Sequence, residues 1–372
     1  MKVMHIGQMI GGLDVYIRNT ITYASGQHEY VIVHGQDDGC YPVYCQGKEI
    51  KTYPICLQRA LSVKKDTQAL REAIRLIREL KPDVIHCHSA KGGMIGRIAG
   101  FVTGTPTLYT AHAFSFLSSG NKGVRFIYRM MERFSKFGTY LLACSESEQL
   151  LGRKAVGYDH EHALVWRNAV PEPILDEQKI SLTIPSHPYL CYIGRPSYQK
   201  NPLFMVDMFA RVHEEFPDVR FYLLGVGYHS PDLEAMQKAI RKLHLESYCF
   251  LMPWVNHNDA MAFVKHSLFY ITVARYEGLP LSVIEAMAMG KCIMASNVVG
   301  NKDCVRDGEN GRLVKLKMQP YTEAVCDLLA HPEVVEQMGE ESRRIFDEEF
   351  RIEKRIHLLE EIYQKIGSKS KK

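Results

Sequence analysis

Two carboxylates eight positions apart, Glu277 and Glu285, bracket the apolar stretch GLPLSVI and could between them hold a charged, hydroxyl-rich ligand. The preceding run from Phe269 to Ala274 is apolar, β-branched and aromatic, which reads as a buried strand. Gly278 and Pro280 punctuate its end, and Leu281 to Met289 then reads as a helix stopped by Gly290. Glu277 is thereby expected on the loop at the strand's carboxyl end, and Glu285 just over one turn inside the helix. The first amides of such a helix, around Leu281 and Ser282, lack intrahelical partners and attract anions. At about 1.5 Å of rise per residue, Glu285 sits several ångströms along the axis, suited to a ribose beside phosphates held at the helix start. Glu277 then faces whatever hangs on the far phosphate. For a carboxylate pair of this spacing taken alone, a solvated loop residue and an exposed helix face are the commoner explanation.

A second station follows the first strand of the C-terminal half, in Gly194-Arg195-Pro-Ser-Tyr-Gln-Lys200-Asn201. An arbitrary R-x4-K is usually a surface turn with two solvated cations. At a strand end opposite a helix-start anion site, the same two cations would neutralise a diphosphate and its growing leaving-group charge. The string EGLPLSVIEAMAMGKCIMAS, with Gly194, Arg195 and Lys200 before it, resembles the donor-site signature of retaining family 4 glycosyltransferases (glycosyl transferases group 1) of the GT-B fold, bacterial capsular and exopolysaccharide enzymes among them. The resemblance runs over nearly the whole chain and is most specific across residues 190–315.

That resemblance implies roles residue by residue. Arg195 and Lys200 would grip the donor diphosphate, Glu277 the sugar hydroxyls and Glu285 the ribose. Gly194, Gly278, Leu279, Leu281 and Ser282 would line the donor, and Val255, beside Trp254 and Asn256, would meet the nucleobase. Gly12, in the Gly11-Gly12 turn after the first strand, would let backbone approach the donor phosphate and the acceptor. His112, just past the strand Thr107–Thr110, would shape the sugar site and stabilise positive charge at the anomeric carbon through its backbone carbonyl rather than act as a base. His88 and Lys91, in His86-Cys-His88-Ser-Ala-Lys91, resemble the family's H-x-H-S-x-K stretch and would lie on the acceptor side. The His-x-His raises the question of zinc, but no further ligand stands at suitable sequence spacing. The chain has no Asp-x-Asp, so no metal and no cofactor is expected, the cations and a helix dipole serving instead. The loop Asn297 to Asp303 departs from the commoner family pattern, which leaves its contribution open.

The elements that must position these residues alternate strand and helix. Val3–Ile6, Tyr30–His34, Asp83–His86, Thr107–Thr110 and Tyr140–Cys144 read as strands, with helices over about 13–23, 65–80 and between the third and fourth strands. The rhythm restarts with strands at 189–193, 220–224, 248–251, 269–274 and 292–295. The prediction is an α/β protein of the GT-B type, with two Rossmann-like, doubly wound parallel sheets facing across a cleft. The first domain is expected over 1–175, a proline-rich linker over 176–188 and the donor domain over 189–349. A long helix over about 340–366 closes the chain and crosses back to the first domain, and the final Ser-Lys-Ser-Lys-Lys reads as a low-complexity tail.

With 372 residues, 46% hydrophobic and 24% charged, the chain reads as an ordinary globular protein, and a net charge of +4 marks no nucleic-acid arm. Ten cysteines without metal spacing, no leader and no long apolar run point to a cytoplasmic protein with reduced thiols. Lys122, Arg125, Arg129, Arg133 and Lys136 recur at helical steps beside Phe126, Ile127, Met130, Phe134 and Phe137. Either a peripheral contact through 122–137 with the inner face of the cell membrane or a core-packed helix with a solvated basic face would give this pattern. The expected activity is hexosyl transfer from a nucleoside-diphosphate sugar, UDP by default, to a hydroxyl of a lipid-linked glycan acceptor in polysaccharide biosynthesis, with no nucleic acid partner. The alternatives are a nucleotide-sugar 2-epimerase of the same fold, or a catalytically silent partner subunit.

Overall fold

The computed structural model describes residues 1–372 except 40, 59, 61, 228–229 and 370–372. Most of the expected C-terminal tail therefore lies outside the described residues. The chain divides into two compact units, Met1–Pro171 with Arg351–Lys372, and Glu172–Phe350.

Unit 1 is built on strands β1 (Lys2–Ile6), β2 (Glu29–Gly35), β5 (Lys51–Ile55), β6 (Val84–His88), β7 (Thr107–Thr110), β8 (Tyr140–Ala143) and β9 (Ala163–Val165), with a small hairpin of β3 (Tyr44–Cys45) and β4 (Lys48–Glu49) between β2 and β5. The seven pair in the order β5-β2-β1-β6-β7-β8-β9, every pairing parallel. Helices α1 (Gly12–Thr22), α2 (Val63–Leu80), α3 (Ser89–Thr103), α4 (Lys122–Phe134) and α5 (Glu146–Leu151) form the crossovers. The strand direction of winding reverses between β1 and β6, which opens a crevice at their carboxyl ends.

Local chemistry explains the elements. Ser62 caps α2 by accepting the Lys65 amide, and Lys81, in the left-handed region before Pro82, ends it. α3 lies close on the sheet because its glycines leave room. A Cβ on Gly93 would stand 2.2 Å from the Tyr109 ring, and one on Gly96 would stand 2.3 Å from Cys87 Cβ. α4 is held differently. Glu132 is its one buried residue, and it accepts hydrogen bonds from Arg97 Nη2 (3.0 Å), Tyr109 Oη (3.0 Å) and Ser115 Oγ (3.0 Å). The helix is thus pinned by a buried carboxylate, while Phe126, Ile127, Met131 and Phe134 stay exposed.

Unit 2 repeats the plan with β10 (Tyr189–Ile193), β11 (Arg220–Val226), β12 (Cys249–Pro253), β13 (Tyr270–Thr272), β14 (Ile293–Ser296) and β15 (Gly311–Val314) in the order β12-β11-β10-β13-β14-β15, again all parallel. Its helices are α6 (Pro202–Glu215), α7 (Leu233–Lys242), α8 (His257–His266), α9 (Leu281–Ala288), α10 (Met318–Ala330) and α11 (Pro332–Ile345). The winding reverses between β10 and β13. The proline-rich segment after Pro171 packs with unit 2, where the Asp176 amide donates to Asn258 Oδ1 (2.9 Å) and Ser181 donates twice to Asp259.

The long terminal helix expected over 340–366 is two helices. α11 ends at Ile345, a wide turn spans 346–350, and α12 (Ile352–Lys369) follows. Phe346 and Phe350 are buried as part of unit 2, whereas Ile352, Leu359 and Tyr363 are buried as part of unit 1, so the chain breaks where its allegiance changes. α12 is tied to unit 1 by the Ile352 amide donating to the Val170 carbonyl and by Glu360 accepting from the Ser25 amide and hydroxyl. Nine cysteines among the described residues are free and buried. No helix among those residues is long and apolar enough to cross a membrane.

Candidate active site

In unit 2 the expected donor residues gather where the winding reverses. β10 delivers the loop from Gly194 to Asn201, and a Cβ on Gly194 would stand 2.3 Å from the Tyr192 hydroxyl, so the position has no room for a larger residue. β13 delivers Glu277, which is only 5% exposed. Lys200 Nζ donates to Glu277 Oε1 at 2.5 Å, and Gln199 Nε2 donates to Oε2 at 2.9 Å. The two loops are also joined by the Arg275 amide donating to the Gln199 carbonyl. Arg195 is half-buried beside them. The Tyr192 phenol, raised well above its ordinary value first by burial, is pushed further up by the Glu277 charge and eased down by Arg195. Lys200 and Glu277 thus form a nearly enclosed ion pair, with Arg195 within electrostatic reach.

Gly300 completes the cradle. With φ of +86°, its Cα lies so close that a Cβ would sit 2.7 Å from Glu277 Cβ and 2.8 Å from the Gly278 carbonyl oxygen. The Glu277 amide donates to the Val299 carbonyl, so the loop whose part the sequence left open is the wall behind Glu277.

α9 starts at Leu281 with Pro280 ahead of it, and its first intrahelical donors are the Val283 and Ile284 amides, both on the Pro280 carbonyl. The amides of Leu281 and Ser282 precede that ladder, as the anion-site reading requires. Tyr270 Oη, raised by burial and lowered again by the Ser282 side chain, also takes the Ile193 amide, bridging the β10 end to the helix start. Glu285, one turn on, is paired with His257 Nε2 at 3.0 Å, and this carboxylate raises the imidazole's pKa. Asn256, expected near the base, is used as the cap of α8, accepting the Asp259 amide, while Trp254 is 78% exposed next to Val255.

In unit 1 the histidines form a chain. His5 Nδ1 meets His88 Nε2 at 3.0 Å, His88 Nδ1 meets His112 Nε2 at 3.2 Å, and His112 Nδ1 meets Cys144 Sγ at 3.6 Å. A side branch runs from Tyr363 Oη on α12 to His86 Nδ1 (2.8 Å) and from His86 Nε2 to Thr110 Oγ1 (2.8 Å). Tyr16 stands edge-on to His112. Burial lowers the pKa of His5 and His112 to about 3, and lowers those of His86 and His88 well below the ordinary value. The rings are therefore neutral, each with one donor and one acceptor nitrogen, and the chain is satisfied only if its tautomers agree.

This corrects the expectation for His88. His88 is wholly buried between His5 and His112, so it supports His112 and offers no surface to an acceptor. Lys91 Nζ lies 2.5 Å from Asp66 Oδ1, with its side chain 9% exposed; it also borders a cavity of about 360 Å³ with Tyr128 and Met131. Gly12 opens α1 with nothing within 4 Å of where its Cβ would be. The left-handed residue of that turn is Gly11, at φ +61°.

Sequence reading of metal ligands missed His5. Nitrogens of His5, His86 and His88 lie within 4.8 Å of one another, an arrangement that could offer three ligands. Both nitrogens of His86 already have hydroxyl partners, however, and His5 and His88 bond each other; only His5 Nε2 is buried without one. The donor set is spent on its own network. Glu148, Gln199 and His257 were also missed, although the Ser145-x-x-Glu148 spacing is a helix-start signature that marks Glu148.

Residues 10–172 match the family model described as Glycosyltransferase Family 4, and residues 175–345 match that described as Glycosyl transferases group 1. An Escherichia coli UDP-Gal:alpha-D-GlcNAc-diphosphoundecaprenol alpha-1,3-galactosyltransferase is 28% identical over 82% of this chain and 81% of its own length. The capsular polysaccharide biosynthesis glycosyltransferase CapM of Staphylococcus aureus is 23% identical over 90% and 92%. Among solved structures, sucrose-phosphate synthase from Thermosynechococcus elongatus superposes with a TM-score of 0.82 at 16% identity, covering 99% of each chain. Anabaena HepE in complex with UDP-glucose superposes with 0.80 at 17% identity, covering 98% of this chain and all of that one, and at such identities the likeness is one of fold.

Proposed function

Since the chain belongs to the glycosyltransferases of the group 1, family 4 type, with the GT-B fold, we propose that it is a retaining enzyme that moves a hexosyl group from UDP to a hydroxyl of a lipid-linked glycan. The observation that carries the donor half is the Lys200–Glu277 pair at the β10 and β13 ends, beside Arg195 and the start of α9. Arg195, Lys200 and the Leu281 and Ser282 amides hold the diphosphate, with no divalent ion required. Glu285 turns from His257 to the ribose, and Glu277 receives sugar hydroxyls.

In the reaction the bond from the anomeric carbon to the phosphate oxygen breaks, its electron pair leaving with UDP. The acceptor oxygen bonds that carbon from the same face, and its proton passes to the departing phosphate. Positive charge grows at the sugar and negative charge at the diphosphate, so fixed cations and helix amides lower the barrier most on the leaving-group side. A carboxylate whose two oxygens already accept from Lys200 and Gln199 is a weakened nucleophile that can still accept hydroxyl hydrogens. By the family resemblance, the His112 carbonyl would supply the negative potential that offsets positive charge at the anomeric carbon.

The acceptor reading draws on the E. coli relative, whose named acceptor is a sugar on diphosphoundecaprenol. It is also favoured by α4, which exposes Phe126, Ile127 and Phe134 together with Lys122, Arg125, Arg129 and Arg133. A helix pinned by one buried glutamate, with apolar and basic residues both outward, suits the inner surface of an anionic membrane. The test is incubation of the purified protein with a panel of nucleotide sugars, with and without polyprenyl-diphosphate-linked sugar. Acceptor-dependent UDP release and an α-linked product are expected. An epimerised donor without acceptor, or no turnover with any donor, would defeat the reading.

A further inference from the structure

We infer that Glu148 is a positioning residue for transfer: its carboxylate fixes the His112–Ala113 peptide so that the His112 carbonyl, and not its imidazole, is the group this loop leaves free for chemistry. The inference rests on the assignment of His112 to the sugar site.

The backbone sets the problem. His112 and Ala113 both have positive φ, +51° and +82°, in a region that residues with a Cβ rarely occupy, and here two occur in succession. Such a conformation persists only where its surroundings over-determine it. Glu148 does so. It is fully buried in the first turn of α5, where its Oε1 accepts the Ala113 amide at 2.7 Å and its Oε2 accepts the Cys144 amide at 2.8 Å. One carboxylate therefore staples the loop after β7 to the end of β8, through two charge-assisted bonds of the short, strong kind.

The direction of the carbonyl follows from covalent geometry. The peptide is planar and trans, as are all the peptide bonds described, so the His112 C=O points opposite to the Ala113 N–H. Glu148 holds that N–H inside the domain, and the carbonyl is directed away from the interior carboxylate. The ring has no comparable freedom. Its nitrogens are engaged by His88 and Cys144, and Tyr16 abuts its face. Loop strain, buried carboxylate and imidazole chain together select the backbone oxygen as the working group. A glutamate spent only on capping its own helix would have no need of the Ala113 amide.

The experiment compares Glu148→Gln, Glu148→Asp and His112→Ala by steady-state kinetics, UDP binding calorimetry and thermal melting. In Glu148→Gln one oxygen is replaced by an NH₂ that cannot accept, so one amide is released. A loss of about tenfold to hundredfold in kcat is expected, at or below the range of about 10²–10³ for removing one preorganised dipole outright, with Kd for UDP unchanged because Arg195, Lys200 and the start of α9 belong to unit 2. Glu148→Asp keeps two acceptor oxygens and is expected to recover part of kcat. Wild-type kcat in Glu148→Gln overturns the inference, as does a kcat loss that merely tracks the unfolded fraction seen in melting. If Glu148→Gln fails to fold, Glu148→Asp decides on the same kcat-against-Kd split. His112→Ala retains the backbone carbonyl and is expected to keep transfer; if it loses transfer while Glu148→Gln keeps it, the imidazole is the working group and the inference fails, and if the wild-type protein transfers nothing the reading of the function fails with it.

Discussion

Mild acid should unfold unit 1 through its imidazole chain. His5, His86, His88 and His112 are held neutral, His5 and His112 with pKa near 3 against an unfolded value of 6.5. Between those limits the unfolded chain binds more protons than the folded one, so stability rises with pH across the window. It is fully present above 6.5 and is lost progressively as pH falls toward 3. At pH 5 the medium lies one and a half units below the unfolded value, which costs about 2 kcal/mol for each histidine that must stay neutral. His5 and His112 together amount to about 4 kcal/mol, a large share of the stability of a typical domain, about 5–15 kcal/mol, and His86 and His88 act in the same direction. Urea melts monitored by far-UV circular dichroism at pH 7.5, 6.5, 5.5 and 5.0 would measure the fall. His5→Phe removes one member at the end of the chain and should flatten the wild-type profile by about 2 kcal/mol between pH 7.5 and 5.0. A wild-type stability that stays level over this range, or a His5→Phe profile parallel to wild type, would refute the reasoning.

Two further outcomes concern the other unit and the surface. Gly300→Ala places a Cβ 2.7 Å from Glu277 Cβ and imposes a φ of +86° on alanine, so calorimetry should show donor binding weakened by more than the change in melting temperature explains. A stable Gly300→Ala protein with unaltered donor affinity would contradict the cradle. Phe126→Ser with Phe134→Ser, two exposed positions on α4, should lower co-flotation with anionic vesicles while leaving stability within about 0.5 kcal/mol, as exposed substitutions do. Undiminished flotation would separate α4 from any membrane role.

The donor half of the site was legible because its parts are short-range. Strand, glycine turn, cation pair and helix start each lie within a dozen residues, and each obeys a local rule of patterning or capping. The β/α alternation gave five strands of each sheet for the same reason, and missed the edge strands β5, β9 and β15. What the chain hides is pairing at a distance. His5 and His88 stand 83 positions apart and Tyr363 stands 277 from His86, so nothing local marks the imidazole chain. That is why the sequence placed His88 on the acceptor side and not within the imidazole chain, and showed no sign of the Asp66 partner of Lys91, 25 positions away. The broken terminal helix was missed on different grounds: helical periodicity continues through Phe346 and Phe350, and only their burial in a different unit from α12 shows the stop. On α4 the amphipathic pattern left two outcomes; with Glu132 as its one buried residue the helix is not core-packed by its apolar face, and the vesicle assay tests the membrane contact.

The central claim is that the cations after β10 and the start of α9 hold a nucleoside diphosphate beside Glu277. Calorimetric titration of UDP into the wild-type protein, Arg195→Met and Lys200→Met tests it most directly. Loss of one charge-assisted contact should weaken Kd by about tenfold to hundredfold in each variant. A Kd for UDP that is the same in all three folded proteins would contradict it.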